Sequence, residues 1–178
     1  PVYSDNRLIL TAPEVRTQVE SALCEVIRAD YPDVEVLMGT STAGIAHAAI
    51  VGHMMGLPMG YVRSSGKDHG RQNQIEGRLE PGQKVVVIED LISTGGSSLK
   101  AVEAIRNVGC EVVGMAAIFS YRFPVAEERF KAAKVDVVTL SNYEAVLEAA
   151  LQTGYITDGD LETLKEWRKD PASWNAGK

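Results

Sequence analysis

The chain has 178 residues, 45% of them hydrophobic, and a formal net charge of -6. That is enough apolar material for a substantial core in a single domain over residues 1–178, and the acidic balance argues against general nucleic-acid or membrane-surface binding. The sequence has neither a signal-peptide pattern nor an apolar run long enough to span a bilayer, so a cytoplasmic protein is expected.

Along the chain, Thr11-Ala12-Pro13-Glu14 has the pattern of a capping box with proline in the first turn. It opens a helix over residues 15–28, where apolar side chains recur at helical spacing until Pro32 and Asp33 break it. Residues 34–38 read as a short strand leading into Gly39-Thr40-Ser41-Thr42-Ala43-Gly44. A helix over about 45–55 follows, ended by Gly56 and Pro58, and residues 59–63 form the next strand. Residues 64–78 are polar and aperiodic, and a loop with a strand at its far end is preferred over a hairpin. Pro81-Gly82 turns the chain into residues 84–88, a branched apolar run typical of a strand covered on both faces. A helix over 97–107 stops at Gly109, and strands over 112–119 and 135–140 flank a short helix at 127–131. Ser141 with Glu144 caps a helix to about Gln152, and Thr157 or Asp158 starts the last one, which ends before Pro171. Cys24 and Cys110 sit in apolar periodic contexts and are expected to be buried free thiols.

Strands alternating with helices predict an α/β fold with a right-handed, mostly parallel central sheet flanked by helices. Ligands of such sheets bind beyond the carboxyl ends of the strands. One stretch at such an end carries the chemistry: Glu89-Asp90-Leu91-Ile92-Ser93-Thr94-Gly95-Gly96-Ser97-Ser98. Its glycines let backbone N–H groups approach a phosphate, and the following helix start adds positive potential. Bare carboxylates repel phosphate, so the acidic pair needs another purpose. It would suit two ribose hydroxyls, which can donate to it, and would favour positive charge building on a sugar ring beside it. Neither a P-loop nor a dinucleotide fingerprint is present.

The whole string resembles the phosphoribosyl diphosphate motif of type I phosphoribosyltransferases. The resemblance implies that fold, with a small hood made by the chain ends. It implies displacement of diphosphate at the anomeric carbon through an oxocarbenium-like state. It also implies Mg²⁺ brought by the substrate, with no direct protein ligand. Glu89 and Asp90 would hold the ribose hydroxyls, and Ser93, Thr94, Gly95, Gly96 and Ser97 the 5-phosphate, with Leu91 and Ile92 joining the two parts.

Three more stretches resemble the orotate group of that family. Pro1-Val2-Tyr3-Ser4-Asp5-Asn6-Arg7 is similar to the segment that passes over the orotate ring, which would put Tyr3 and Ser4 near the base, together with Ser93. In Arg63-Ser64-Ser65-Gly66-Lys67-Asp68-His69-Gly70, the cations Arg63, Lys67 and His69 inherit the diphosphate role. Closure of such a loop would neutralise the leaving group and exclude water. Related sequences carry a further lysine where Ser64, Ser65 and Gly66 stand, so leaving-group stabilisation is weaker here or supplied elsewhere. Thr40, Ser41 and Thr42 match the diphosphate loop, and an arginine after the strand ending near Phe119, which would be Arg122, contacts the base carboxylate in some members.

Orotate and phosphoribosyl diphosphate are the implied substrates, in a homodimer with shared active sites and with Lys67, His69 and Asp90 as catalytic groups. A purine phosphoribosyltransferase or an RNA-binding regulator on the same fold are the alternatives. The family builds part of the hood from residues preceding this segment, so the hood is expected to be incomplete. His47 and His53 are six apart on one predicted helix and do not pair as metal ligands. Trp167 and Trp174 are expected to anchor the last helix and tail by packing.

Overall fold

The computed structural model of the chain describes residues 4–64, 74–171 and 174. Its centre is a six-stranded sheet in the order β3-β2-β1-β4-β5-β6, built from β1 (Val36–Thr40), β2 (Met59–Val62), β3 (Ile75–Glu76), β4 (Lys84–Ile92), β5 (Glu111–Ser120) and β6 (Val137–Asn142). All pairings are parallel except β2 with β3. The mostly parallel sheet and the strand at the far end of the 64–78 segment are therefore as expected.

The branched run in β4 explains the layering. Successive strand side chains point to opposite faces, and Val85 and Val87 join one apolar cluster while Val86 and Ile88 join another. All four are fully buried, each worth roughly 1.5–3 kcal/mol relative to exposure. The first face is covered by α3 (Gly96–Asn107) and α4 (Pro124–Ala132), through Val102, Ile105 and Phe130. The second is covered by α1 (Pro13–Asp30) and α2 (Ala43–Met55), through Leu23, Ile27 and Val51. A third cluster joins Phe119, Tyr121, Tyr143 and Trp167 under α5 (Tyr143–Gln152) and α6 (Asp158–Lys169), with Trp174 packed against it, so both tryptophans anchor the carboxyl-terminal part as expected. Cys24 and Cys110 are buried free thiols.

Four local expectations are corrected. Thr11 does not cap α1: residues Asn6–Thr11 form a 3-10 helix, the Thr11 hydroxyl donates to Leu8 O at 2.9 Å, and Ala12 stands at the cap. Strand β1 begins at Val36, because Val34 N–H is spent on a turn to Tyr31 O. Strand β4 runs past Ile88 to Ile92, so Glu89 and Asp90 are still in the sheet, where Glu89 pairs with Ala117 and Ile92 with Ser120. Ser141 belongs to β6, and Asn142 caps α5 by accepting from Ala145 N at 3.0 Å. The last helix does start as read, with a capping box between Thr157 and Asp160.

Candidate active site

The carboxyl ends of β1, β2 and β4 surround a cleft of about 720 Å³. Its floor is the end of β4, where the two acids behave differently. Glu89 is 6% exposed. One of its carboxylate oxygens accepts from Thr40 Oγ1 at 2.7 Å and from Asp90 N at 3.1 Å, the other from Ser98 Oγ at 2.8 Å. It thereby ties β1, β4 and α3 together. Asp90 is half-buried and lines the cleft, and its backbone oxygen accepts from Asn6 Nδ2 at 2.8 Å.

Burial dominates the Glu89 carboxyl and pushes it up to about 7; the neighbouring Asp90 raises it as well, against the hydrogen bonds from Thr40 and Ser98. A raised folded value means the stabilising contribution is complete at low pH and is lost as pH rises through about 7. Unfolding free energy is therefore expected to fall by up to about 3 kcal/mol between pH 5 and pH 8 on account of this group. Urea titrations at both pH values, compared with Glu89→Gln, measure it. The variant should show a flatter dependence, and equal slopes would refute the assignment.

The turn after β4 has the geometry of a cradle. Gly95 adopts φ 76, the left-handed region open to glycine, and a Cβ there would sit 2.9 Å from the Phe130 ring. From behind, Arg129 Nη1 donates to Thr94 O at 3.0 Å. Helix α3 then starts at Gly96, so its unpaired N–H groups face outward from the turn. Ser93 is half-buried, while Thr94 and Ser97 are exposed. Ile92 is 2% exposed within the core, so only its backbone is available to a ligand.

On the opposite wall, Thr40, Ser41, Thr42 and Ala43 join β1 to α2, with a cis Ser41–Thr42 peptide and Ser41 Oγ donating to Val62 O at 2.7 Å. Arg63 and Ser64 follow β2 into the same cleft, Arg63 Nη1 lying 3.5 Å from Glu76 Oε1. Ser4 also lines it: its N–H donates to Tyr121 Oη at 3.2 Å and its hydroxyl to Asn6 Oδ1 at 3.0 Å. Thus Ser4, Thr40, Ser41, Thr42, Arg63, Glu89, Asp90, Leu91 and Ser97 come together around one space. Tyr3, Lys67 and His69 lie outside the described residues. Arg122 does not line this cleft. It has φ 51, its carbonyl accepts from Arg168 Nη2 at 3.0 Å, and it borders two other hollows of about 590 and 360 Å³.

Other residues around the cleft are not among those expected from the sequence. Asn6 fixes the Asp90 backbone across 84 positions of chain, and Ser98 holds Glu89; neither signal is local. Gln74 and Lys100 line the cleft, and Lys100 was findable, standing one helical turn beyond Ser97. Among the described residues no group of three or more His, Cys, Asp or Glu could hold a metal ion, and no helix is long and apolar enough to cross a membrane.

A hydroxyl-rich loop and an acidic strand end thus border one cleft, with the glycine turn and the start of α3 beside it. The chain belongs to the phosphoribosyltransferase family: the phosphoribosyl transferase domain matches residues 7–153. Among its relatives, the orotate phosphoribosyltransferase of Bacteroides thetaiotaomicron is 57% identical over 178 residues, covering 100% of this chain and 84% of that one. A solved orotate phosphoribosyltransferase from Aeropyrum pernix superimposes with a TM-score of 0.77 at 28% identity, over 87% of this chain and 85% of that one. The UMP synthase of Leishmania donovani gives a TM-score of 0.81 at 24% identity, over 95% of this chain and 36% of that one, a likeness of fold.

Proposed function

We propose that the cleft transfers ribose 5-phosphate from phosphoribosyl diphosphate to orotate, giving orotidine 5-monophosphate and diphosphate, a step of pyrimidine nucleotide synthesis. The observation that carries this is the half-buried Asp90 carboxyl at the cleft floor, beside the Ser93–Ser97 turn and opposite the hydroxyl loop at 40–42. The relatives at 57% identity that bear the orotate name choose the base.

Each part then has a task. The turn and the start of α3 hold the 5-phosphate by N–H donors and hydroxyls. Asp90 accepts hydrogen bonds from the ribose hydroxyls and favours the positive charge that grows on the ring as the anomeric C–O bond breaks. Glu89, engaged on both oxygens, keeps the strand end and Thr40 in place and adds to the negative potential. Thr40, Ser41, Thr42 and Arg63 take the departing diphosphate, while a ring nitrogen of orotate forms the new bond. Ser4 and Tyr3 lie over the base, with Ser93 as a further base contact; Arg122, which borders other hollows, takes no part. Lys67 and His69 close from the intervening loop, which we place in the partner's site of a cytoplasmic homodimer. The 178 residues then act as one catalytic domain.

The donor set fits Mg²⁺. The cleft offers the Asp90 carboxylate and the hydroxyls of Thr40 to Thr42, and no cysteine, histidine or methionine lines it among the described residues. Asp90 would hold the ion through water with the substrate's oxygens supplying the rest, and the ion would offset charge on the leaving group.

The test follows the loss of orotate absorbance with phosphoribosyl diphosphate and Mg²⁺, beside parallel reactions with adenine, guanine and hypoxanthine. Turnover is expected with orotate alone. Turnover with a purine and none with orotate would replace this reading by a purine transferase.

A further inference from the structure

We propose that Lys100 binds the diphosphate end of phosphoribosyl diphosphate, supplying from α3 a cation that the loop residues do not; this rests on the transfer reaction proposed above. Lys100 lines the cleft with Arg63, Gln74 and residues 40–43, whereas Ser93 to Gly96 do not line that space. Of the residues assigned to the 5-phosphate only Ser97 shares this lining, and Arg63, Gln74 and residues 40–43 place Lys100 within the space that takes the diphosphate.

The charge pattern of the cleft singles it out. Asp5, Glu89 and Asp90 face Arg7, Arg63 and Lys100. Arg7 Nε is 2.7 Å from Asp5 Oδ1, and Arg63 Nη1 is 3.5 Å from Glu76 Oε1. Lys100 is exposed and forms no ion pair or side-chain hydrogen bond among the described residues. An ammonium on a flexible stem, held beside a cleft but by no carboxylate, loses no partner when it turns to an incoming anion. Its three donors suit the several oxygens of a diphosphate. The chain as a whole is acidic, at -6, so an uncommitted cation at this wall also steers a polyanion inward.

Calorimetric titration in Mg²⁺ buffer separates the two ends of the substrate. Lys100→Ala is expected to bind phosphoribosyl diphosphate and inorganic diphosphate at least about tenfold more weakly. Binding of orotidine 5-monophosphate, which keeps the 5-phosphate and lacks the diphosphate, should change less than about twofold, and Lys100→Arg should restore most of the loss. Folding should be untouched, since the side chain removed is exposed. Undiminished diphosphate binding by Lys100→Ala, or an equal loss for orotidine 5-monophosphate, would overturn the assignment of Lys100 alone. Wild-type protein that binds neither phosphoribosyl diphosphate nor diphosphate would overturn the transfer reaction with it.

Discussion

Gly44→Ala is expected to lower kcat/KM for phosphoribosyl transfer by at least about a hundredfold and to destabilise the fold by roughly 1–3 kcal/mol. Gly44 is buried in the first turn of α2, directly after the loop assigned to diphosphate. A Cβ there would lie 2.5 Å from Ile88 O and 2.6 Å from Thr40 Oγ1. The first is backbone of the central strand and cannot rotate away; the second is the hydroxyl that holds Glu89. The helix must therefore retreat from β4, and the loop at 40–43 retreats with it. Both the wall proposed to take the diphosphate and the latch between β1 and β4 are then out of place. Urea unfolding and steady-state kinetics on the same preparation check the two parts of the expectation. A variant with wild-type rate and midpoint would show that the close approach of α2 to β4 is not required.

Asp90→Asn separates charge from shape at the cleft floor. The amide keeps the size of the carboxyl, and the backbone remains fixed by Asn6 and Glu89, so the fold should hold. On the proposed role, what is lost is an anionic acceptor for ribose hydroxyls and the field favouring positive charge on the ring. A loss of roughly a hundredfold in kcat/KM for phosphoribosyl diphosphate is expected, mostly in kcat because the charge develops in the transition state. Removing this carboxyl should also lower the Glu89 value, since Asp90 is one of the influences that raise it. Unchanged kinetics in this variant would move the sugar contact elsewhere.

Much of this arrangement is legible because the decisive patterns are local. The run ahead of Glu89 announces a strand covered on both faces, and the glycines and serines after it announce a tight turn into a helix whose backbone suits the approach of an anion. Asp90 and the 40–42 loop follow from their places at strand ends. Harder to read are features that depend on partners distant in sequence. Nothing near Glu89 tells that Thr40 and Ser98 will bury it, turning one of two similar acids into a structural latch. Nothing near Glu20 or His47 tells that the two meet, fully buried, with Nδ1 2.6 Å from Oε1, and join α1 to α2. Element ends shift for related reasons. Strand β4 continues through polar residues because pairing with β5, not apolarity, decides where it stops. Thr11 and Ser141 have the chemistry of caps, yet a preceding 3-10 helix claims one and the sheet claims the other.

The central claim is that the end of β4 and the turn after it hold a sugar carrying phosphate. A crystal structure of the protein with phosphoribosyl diphosphate and Mg²⁺ tests it most directly. The account predicts the 5-phosphate among the N–H groups of Ser93 to Ser97, the ribose hydroxyls on Asp90, and the diphosphate toward residues 40–43 and Lys100. Donor density in another hollow, with this turn unchanged and vacant, would contradict it.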